Sequence, residues 1–175
     1  KVEPGHSLVW KDGRITTRRW FSLRYDPDDS VSEADWIERV HDTFMRTTRR
    51  QMVADVPLGA FLSGGVDSSS IVACMRSAFP EREIKCYTAH FAAEDLTRDQ
   101  FVDDYPYAKR VADHLGVNLH SFVLKPEMVG LMPKMIYHLD GPDADPGVFP
   151  SYLISKLARD DGTTVLLSGT GGDEV

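Results

Sequence analysis

Apolar positions along this chain change their spacing several times, and each change marks an element. Leu8, Val9 and Trp10 lead into Asp12-Gly13, and Ile15 and Trp20 follow it. Asp-Gly between two β-rich arms signals a type I′ turn, so residues 6–20 read as a hairpin. A lone hairpin is marginal in water and must lean on something. Asp26-Pro27-Asp28-Asp29-Ser30 then reads as a linker. From Ser32 the spacing becomes three and four, with Ile37, Val40, Phe44 and Thr48 on one stripe. That pattern predicts a helix to about Met52, capped by Ser32 with Asp35 and facing a core through its stripe.

A short apolar run, Pro57-Leu58-Gly59-Ala60-Phe61-Leu62, follows and stops at Ser63-Gly64-Gly65. Helical spacing restarts at Ser69, Ile71, Val72, Ala73 and Met75 and ends near Phe79-Pro80. Residues 84–91 form the next β-leaning run, and residues 92–104 are acidic and patternless, as in a mobile loop. A helix is expected over 105–115, ending at Gly116, with a strand over 117–124. Met128, Leu131, Met135 and Leu139 predict a helix over 127–139, its methionines serving as core packing. A turn-rich stretch over 140–147, a helix over 150–159 and a strand over 164–167 complete the pattern. Strands alternating with helices imply an α/β fold, a parallel sheet flanked by helices and preceded by the short β-hairpin. Ligands of such sheets bind at the carboxyl ends of the strands. Two glycine-rich stretches fall at such ends.

The first of them breaks a strand on two glycines and opens a helix at once. This gathers unpaired backbone N–H groups in one concavity, with the positive end of the helix dipole pointing into it. The result is an anion site, and the absence of a Gly-Lys-Ser/Thr ending separates it from a Walker P-loop. The plainer alternative is a strand-to-helix turn in which glycine supplies φ > 0 and Asp67 or Ser68 caps the helix. Asp67 weighs against that alternative. A carboxylate inside a phosphate nest repels phosphate unless a cation lies between them, which points to Mg²⁺ bridging to a pyrophosphate. The second stretch, Ser168-Gly169-Thr170-Gly171-Gly172-Asp173-Glu174, follows the last strand directly. Its backbone would close over a nucleotide while Asp173 offers a second hard oxygen ligand. Asp67 and Asp173 together would hold Mg²⁺ on the β- and γ-phosphates.

Ser63-Gly64-Gly65-Val66-Asp67-Ser68 resembles the loop of the N-type ATP pyrophosphatases, the PP-loop enzymes with an adenine nucleotide alpha hydrolase-like fold. These cleave ATP between the α- and β-phosphates and leave AMP on a substrate. Asp55-Val56-Pro57-Leu58-Gly59 and Ser69-Ser70 narrow the resemblance to the asparagine-synthetase family. The resemblance implies an ATP-dependent amide ligase that adenylates a carboxylate, aspartate first, and then forms an amide with ammonia from glutamine. It makes Asp67 and Asp173 the residues that handle pyrophosphate and Mg²⁺, with Ser63, Gly64, Gly65 and Ser68 cradling the phosphates. Ser168 and Gly169 would flank the adenosine, and Leu62 and Ala89 would line the adenine pocket. The stretch from Pro142 to Asp145, with Pro150-Ser151-Tyr152-Leu153-Ile154-Ser155, resembles the segment between substrate and nucleotide. Asp143 and Asp145 there read first as turn-capping carboxylates.

One position departs from the family pattern. An acidic residue generally stands where this chain has Thr170, and a hydroxyl at its ordinary pKa is a poor general base. Thr170 therefore leaves adenylation standing and puts the acceptor in question: relatives with other residues here close β-lactam rings or cyclise peptides. Glu3-Pro4-Gly5-His6 and the hairpin resemble the end of the family's amino-terminal glutaminase domain, which assigns residues 1–25 to that domain and 26–175 to the ATP-binding part of the synthetase domain. The glutaminase uses an amino-terminal cysteine, and neither Lys1, Cys74 nor Cys86 fits it. The chain is accordingly expected to be part of a longer protein whose further helices supply a catalytic lysine. Such a protein is a candidate homodimer.

Composition narrows the remaining classes. A net charge of −7 over 175 residues, with no basic stripe, argues against a nucleic-acid partner. Arg46, Arg49 and Arg50 form one local cluster, read as a solvated helix face. Two cysteines expected to be buried and reduced favour a cytoplasmic setting over a disulfide framework. No apolar run is long enough for a membrane span, and the six histidines lack metal-ligand spacing. Two other readings stay open: a nucleotide-binding module without turnover, and a thiolase or NAD-synthetase type of pyrophosphatase.

Overall fold

Asp12 and Gly13 adopt φ of 50° and 74°, the left-handed pair that a type I′ turn demands. They join β1 (His6–Lys11) to β2 (Arg14–Arg19) as an antiparallel hairpin. The computed structural model describes residues 1–92, 103–139, 141, 143, 145 and 147–172. Two compact units, Lys1–Arg39 and Val40–Val175, divide within α1 (Glu33–Gln51). The expected capping pair starts that helix: the Asp35 amide donates to Ser32 Oγ at 3.2 Å, and Ser32 Oγ donates to the Asp35 carboxylate at 2.7 Å.

The stripe on α1 is not the core face the periodicity predicted. Thr48 is 6% exposed, but Ile37 and Val40 are 63% and 65% exposed and Phe44 is 37% exposed. Spacing identifies an apolar face without identifying a layer to cover it, and only the end of the helix reaches the core, at Thr48 and the neighbouring Met52.

In the second unit, β3 (Leu58–Phe61), α2 (Val66–Ala78), β4 (Lys85–Phe91), α3 (Tyr105–Leu115), β5 (Asn118–Leu124), α4 (Met132–His138), α5 (Val148–Asp160) and β6 (Val165–Leu167) follow in order. The four strands form a sheet in the order β5-β4-β3-β6, every pairing parallel. This is the expected parallel sheet flanked by helices. Its main core lies on the side of α2 and α3, where Ala60, Cys86 and Leu167 share a register row beneath Val72, Met75, Ala108 and Ala112. Burying each of the larger side chains contributes about 1.5–3 kcal/mol. Cys74 and Cys86 are buried free thiols, and burial pushes the Cys86 thiol up to about 12.

The helix expected over 127–139 divides in two. Pro126–Leu131 is a 3-10 helix, and α-helix resumes only at Met132. Pro133 explains the break: it lacks an N–H and is tolerated only in a first helical turn. Met135 is buried as expected. The acidic stretch expected to be a mobile loop falls, over residues 93–102, outside the described residues.

Arg76 of α2 ties the helical layer together. Its guanidinium donates to the carbonyls of Leu115 and Gly116 at the end of α3, and to those of Pro80 and Arg82 after its own helix. On the other face of the sheet, Tyr87 is fully buried and donates to the Asp161 carboxylate at 2.7 Å, with Thr163 Oγ1 at 2.6 Å. Gly59 makes room for it, since a Cβ there would meet the Lys85 carbonyl at 2.6 Å and the Tyr87 ring at 3.0 Å. Lys85 Nζ also reaches Asp161, at 2.9 Å. These two donors, Lys85 before Tyr87, hold the Asp161 carboxyl below its ordinary value. A carboxylate with a depressed folded pKa stabilises above its unfolded value, about 3.9, and loses that contribution as pH falls through the folded value. The thermal midpoint of the intact protein is therefore expected to exceed that of Asp161→Asn at neutral pH, with the gap closing as pH falls below the unfolded value. A gap of constant size across that range would refute the assignment.

Candidate functional site

Strand order decides where this sheet can hold a ligand. From β3 the chain moves outward through β4 and β5, then returns to the opposite side of β3 for β6. A reversal of this kind opens a crevice at the carboxyl ends of the two strands beside it. Here those strands are β3 and β6, and each runs directly into one of the glycine-rich stretches.

The first loop is held by its own serines. Ser63 N donates to Ser68 Oγ at 3.3 Å, the two hydroxyls lie 3.0 Å apart, and the Gly65 amide donates to Ser63 Oγ at 3.3 Å. Ser68 Oγ in turn donates to the Gly65 carbonyl, also at 3.3 Å. Gly65 is the N-cap of α2, with extended backbone and no side-chain cap. Neither Asp67 nor Ser68 caps the helix as the plainer turn would have it. The first-turn amides of Val66, Asp67 and Ser68 thus find no partner among the described residues, as in an open anion nest.

Gly64 does something else. Its φ is +83°, and a Cβ there would lie 2.5 Å from Tyr107 and from the Ala108 amide, so its face is taken up by the first turn of α3. It is absent from the cavity wall that its neighbours form.

The second loop leaves β6 at Ser168. Ser168 Oγ lies 2.7 Å from Thr170 Oγ1 and accepts the Thr170 amide at 3.2 Å, while the Gly172 amide donates to the Gly169 carbonyl at 3.2 Å. Thr170, the position of the family departure, therefore spends its hydroxyl on bracing the loop. Asp173 lies outside the described residues.

Between the loops opens a cavity of about 740 Å³. Its wall carries Leu62, Ser63, Gly65, Asp67 and Ser68 from the first loop, and Ser168, Gly169 and Thr170 from the second. Ala89 joins them from β4. Sequence reasoning missed Asp103 and Asp104, which enter the wall just before α3. Burial pushes the Asp104 carboxyl up, and the neighbouring Asp103 charge adds to it. Pro150, Ser151 and Ile154 of α5 also line the wall, within the segment that the sequence had singled out. Asp143 and Asp145 behave as turn caps, accepting the amides of Asp145 and Gly147 at 2.9 and 2.8 Å. The charged residues among the described lining are all acidic: Asp67, Asp103 and Asp104.

The asparagine synthase family matches residues 39–175. This chain belongs to the asparagine synthase family. It is 35% identical over 177 residues to the glutamine-hydrolyzing asparagine synthetase 1 of Bacillus subtilis, covering 100% of this chain and 26% of that protein. To the putative glutamine-hydrolyzing asparagine synthetase 2 of Methanocaldococcus jannaschii it is 37% identical, covering 100% of this chain and 33% of the relative. The chain thus spans about a quarter to a third of the length of these curated relatives. A glutamine-dependent NAD⁺ synthetase from Acinetobacter baumannii, in complex with ADP, shares 18% identity at a TM-score of 0.48, over 85% of this chain and 27% of that one.

For this family member the serine lattice of the first loop yields a direct test. Ser68→Ala removes one acceptor and one donor from a buried position, which costs about 1–2 kcal/mol. Chemical denaturation of the intact protein is expected to show that loss with an unchanged denaturant slope. No loss would mean that the lattice does not hold the loop.

Proposed function

We propose that this chain is the nucleotide-binding core of an ATP-dependent amide ligase. In this reading the intact protein activates a substrate carboxylate as its adenylate, releases pyrophosphate, and transfers the acyl group to ammonia drawn from glutamine. Aspartate is the acceptor of first choice. The observation that carries the reading is the meeting of two glycine loops over an acidic cavity at the strand-order reversal. Family membership supports it.

The amides of Val66, Asp67 and Ser68, with the positive end of α2, would take the phosphate charge. Leu62 and Ala89 would contact the adenine, and Ser168 and Gly169 the adenosine. The wall supplies no cation among its described residues, so the negative charge of a triphosphate needs a partner from solution. Mg²⁺ fits that donor set, since it takes one or two carboxylates together with phosphate oxygens. Asp67 would hold it, with Asp173 as the second ligand. The share of catalysis that falls to these residues is positioning the α-phosphorus and offsetting charge on the departing pyrophosphate. Residues 1–25 are assigned to the end of a glutaminase domain that supplies ammonia in the longer protein.

The Thr170 hydroxyl favours a second acceptor reading. Bonded to Ser168, it leaves this point of the wall without the acidic group that family members generally carry there. The same adenylation could then serve a different carboxylate.

Exchange of labelled pyrophosphate into ATP by the intact protein separates these readings. Exchange that requires aspartate, and that falls roughly a hundredfold or more in Asp67→Ala, is the expected result. Exchange with another carboxylate alone would move the protein to a related ligase. The absence of exchange with any carboxylate would overturn the ligase assignment.

A further inference from the structure

The two glycine loops touch at one residue whose contacts cannot rotate away. A Cβ on Gly169 would lie 2.8 Å from the Asp67 Cβ, 2.8 Å from the Ser68 amide nitrogen and 3.0 Å from the Asp67 carbonyl carbon. These atoms belong to the first turn of α2, the turn whose amides form the nest. Gly172 meets the same residue differently: its Cβ would approach the Asp67 carboxylate at 2.5 Å, a group that is free to turn about its side-chain bonds. The second loop arrives at this contact as a braced body, held by the Ser168–Thr170 hydroxyl pair and by the Gly172 to Gly169 backbone bond.

We propose that Gly169 is a positioning residue. Lacking a side chain, it seats the second loop directly on α2 and fixes where the Asp67 carboxylate and the Ser68 amide stand over the cavity. Its effect on the ligand rests on the nucleotide reading above; its effect on the loop does not. A methyl group at this point has no room, so the second loop must lift or the first turn of α2 must shift. Gly130 is the contrasting position: apart from its own helical turn, nothing lies within 4 Å of its would-be Cβ, and its backbone is not left-handed.

Gly169→Ala and Gly130→Ala in the intact protein test this with two readouts. Hydrogen–deuterium exchange of the ligand-free protein is expected to rise in the peptide that spans Asp67 and Ser68 for Gly169→Ala, and to stay unchanged in β5. Affinity for ATP with Mg²⁺ is expected to fall roughly tenfold or more, while Gly130→Ala leaves both readouts at the wild-type level. Unchanged exchange in that peptide together with unchanged affinity would overturn the proposal. If the wild type itself binds no ATP, the nucleotide reading fails, and the exchange measurement alone judges the seating. Should Gly169→Ala fail to fold, Ser168→Ala loosens the brace without adding bulk. It is expected to raise exchange in the same peptide, and no rise there would overturn the proposal.

Discussion

The pairing of β6 with β3 is the constraint from which the rest of the site follows. Three ladder positions, Leu58 with Val165, Gly59 with Leu166 and Ala60 with Leu167, bring together chain segments about a hundred residues apart. Because the pairing is parallel, both strands end on the same edge of the sheet. Both glycine loops therefore leave side by side, and the helix that opens after β3 begins at the gap between them, with Gly65, Asp67 and Ser68 in the cavity wall. A one-residue slip of β6 would turn Leu167 away from the core and displace the second loop from the first at the same time. Stability and site geometry thus depend on the same backbone bonds.

That geometry creates an electrostatic imbalance. The nest offers only partial charges, from amides and the end of one helix, which are worth a few tenths of a kcal/mol to about 2 kcal/mol each way. Against them stand three carboxylates on the described wall. Such a wall is poorly suited to a bare polyanion and well suited to one that arrives with a divalent cation. Asp67 sits where the two loops meet, so the residue that would handle the cation is also one that Gly169 and Gly172 approach closely.

How much of this was legible beforehand depended on whether the signal was local. Asp12-Gly13 dictated a turn through its own backbone preferences, and the hairpin follows. Ser63-Gly64-Gly65 likewise announced a tight strand-to-helix passage, and most of its predicted residues line one cavity. Gly64 was legible as a glycine of necessity but not as one that serves α3, because that contact is made with Tyr107 and Ala108, distant in sequence. The stripe of Ile37, Val40 and Phe44 showed an apolar face and said nothing of what covers it. Pro133 was a local signal that the methionine spacing concealed. Asp103 and Asp104 were missed because polar loop residues carry no period, and their place in the wall comes from the turn into α3.

On the proposed reading, the cavity takes an adenine nucleotide together with a divalent cation that lies between phosphates and carboxylates. Calorimetric titration of the intact protein with ATP, in excess Mg²⁺ and then in excess chelator, tests it most directly. The account predicts saturable binding with Mg²⁺ and affinity weaker by roughly tenfold or more without it. Equal affinity under both conditions would contradict the account.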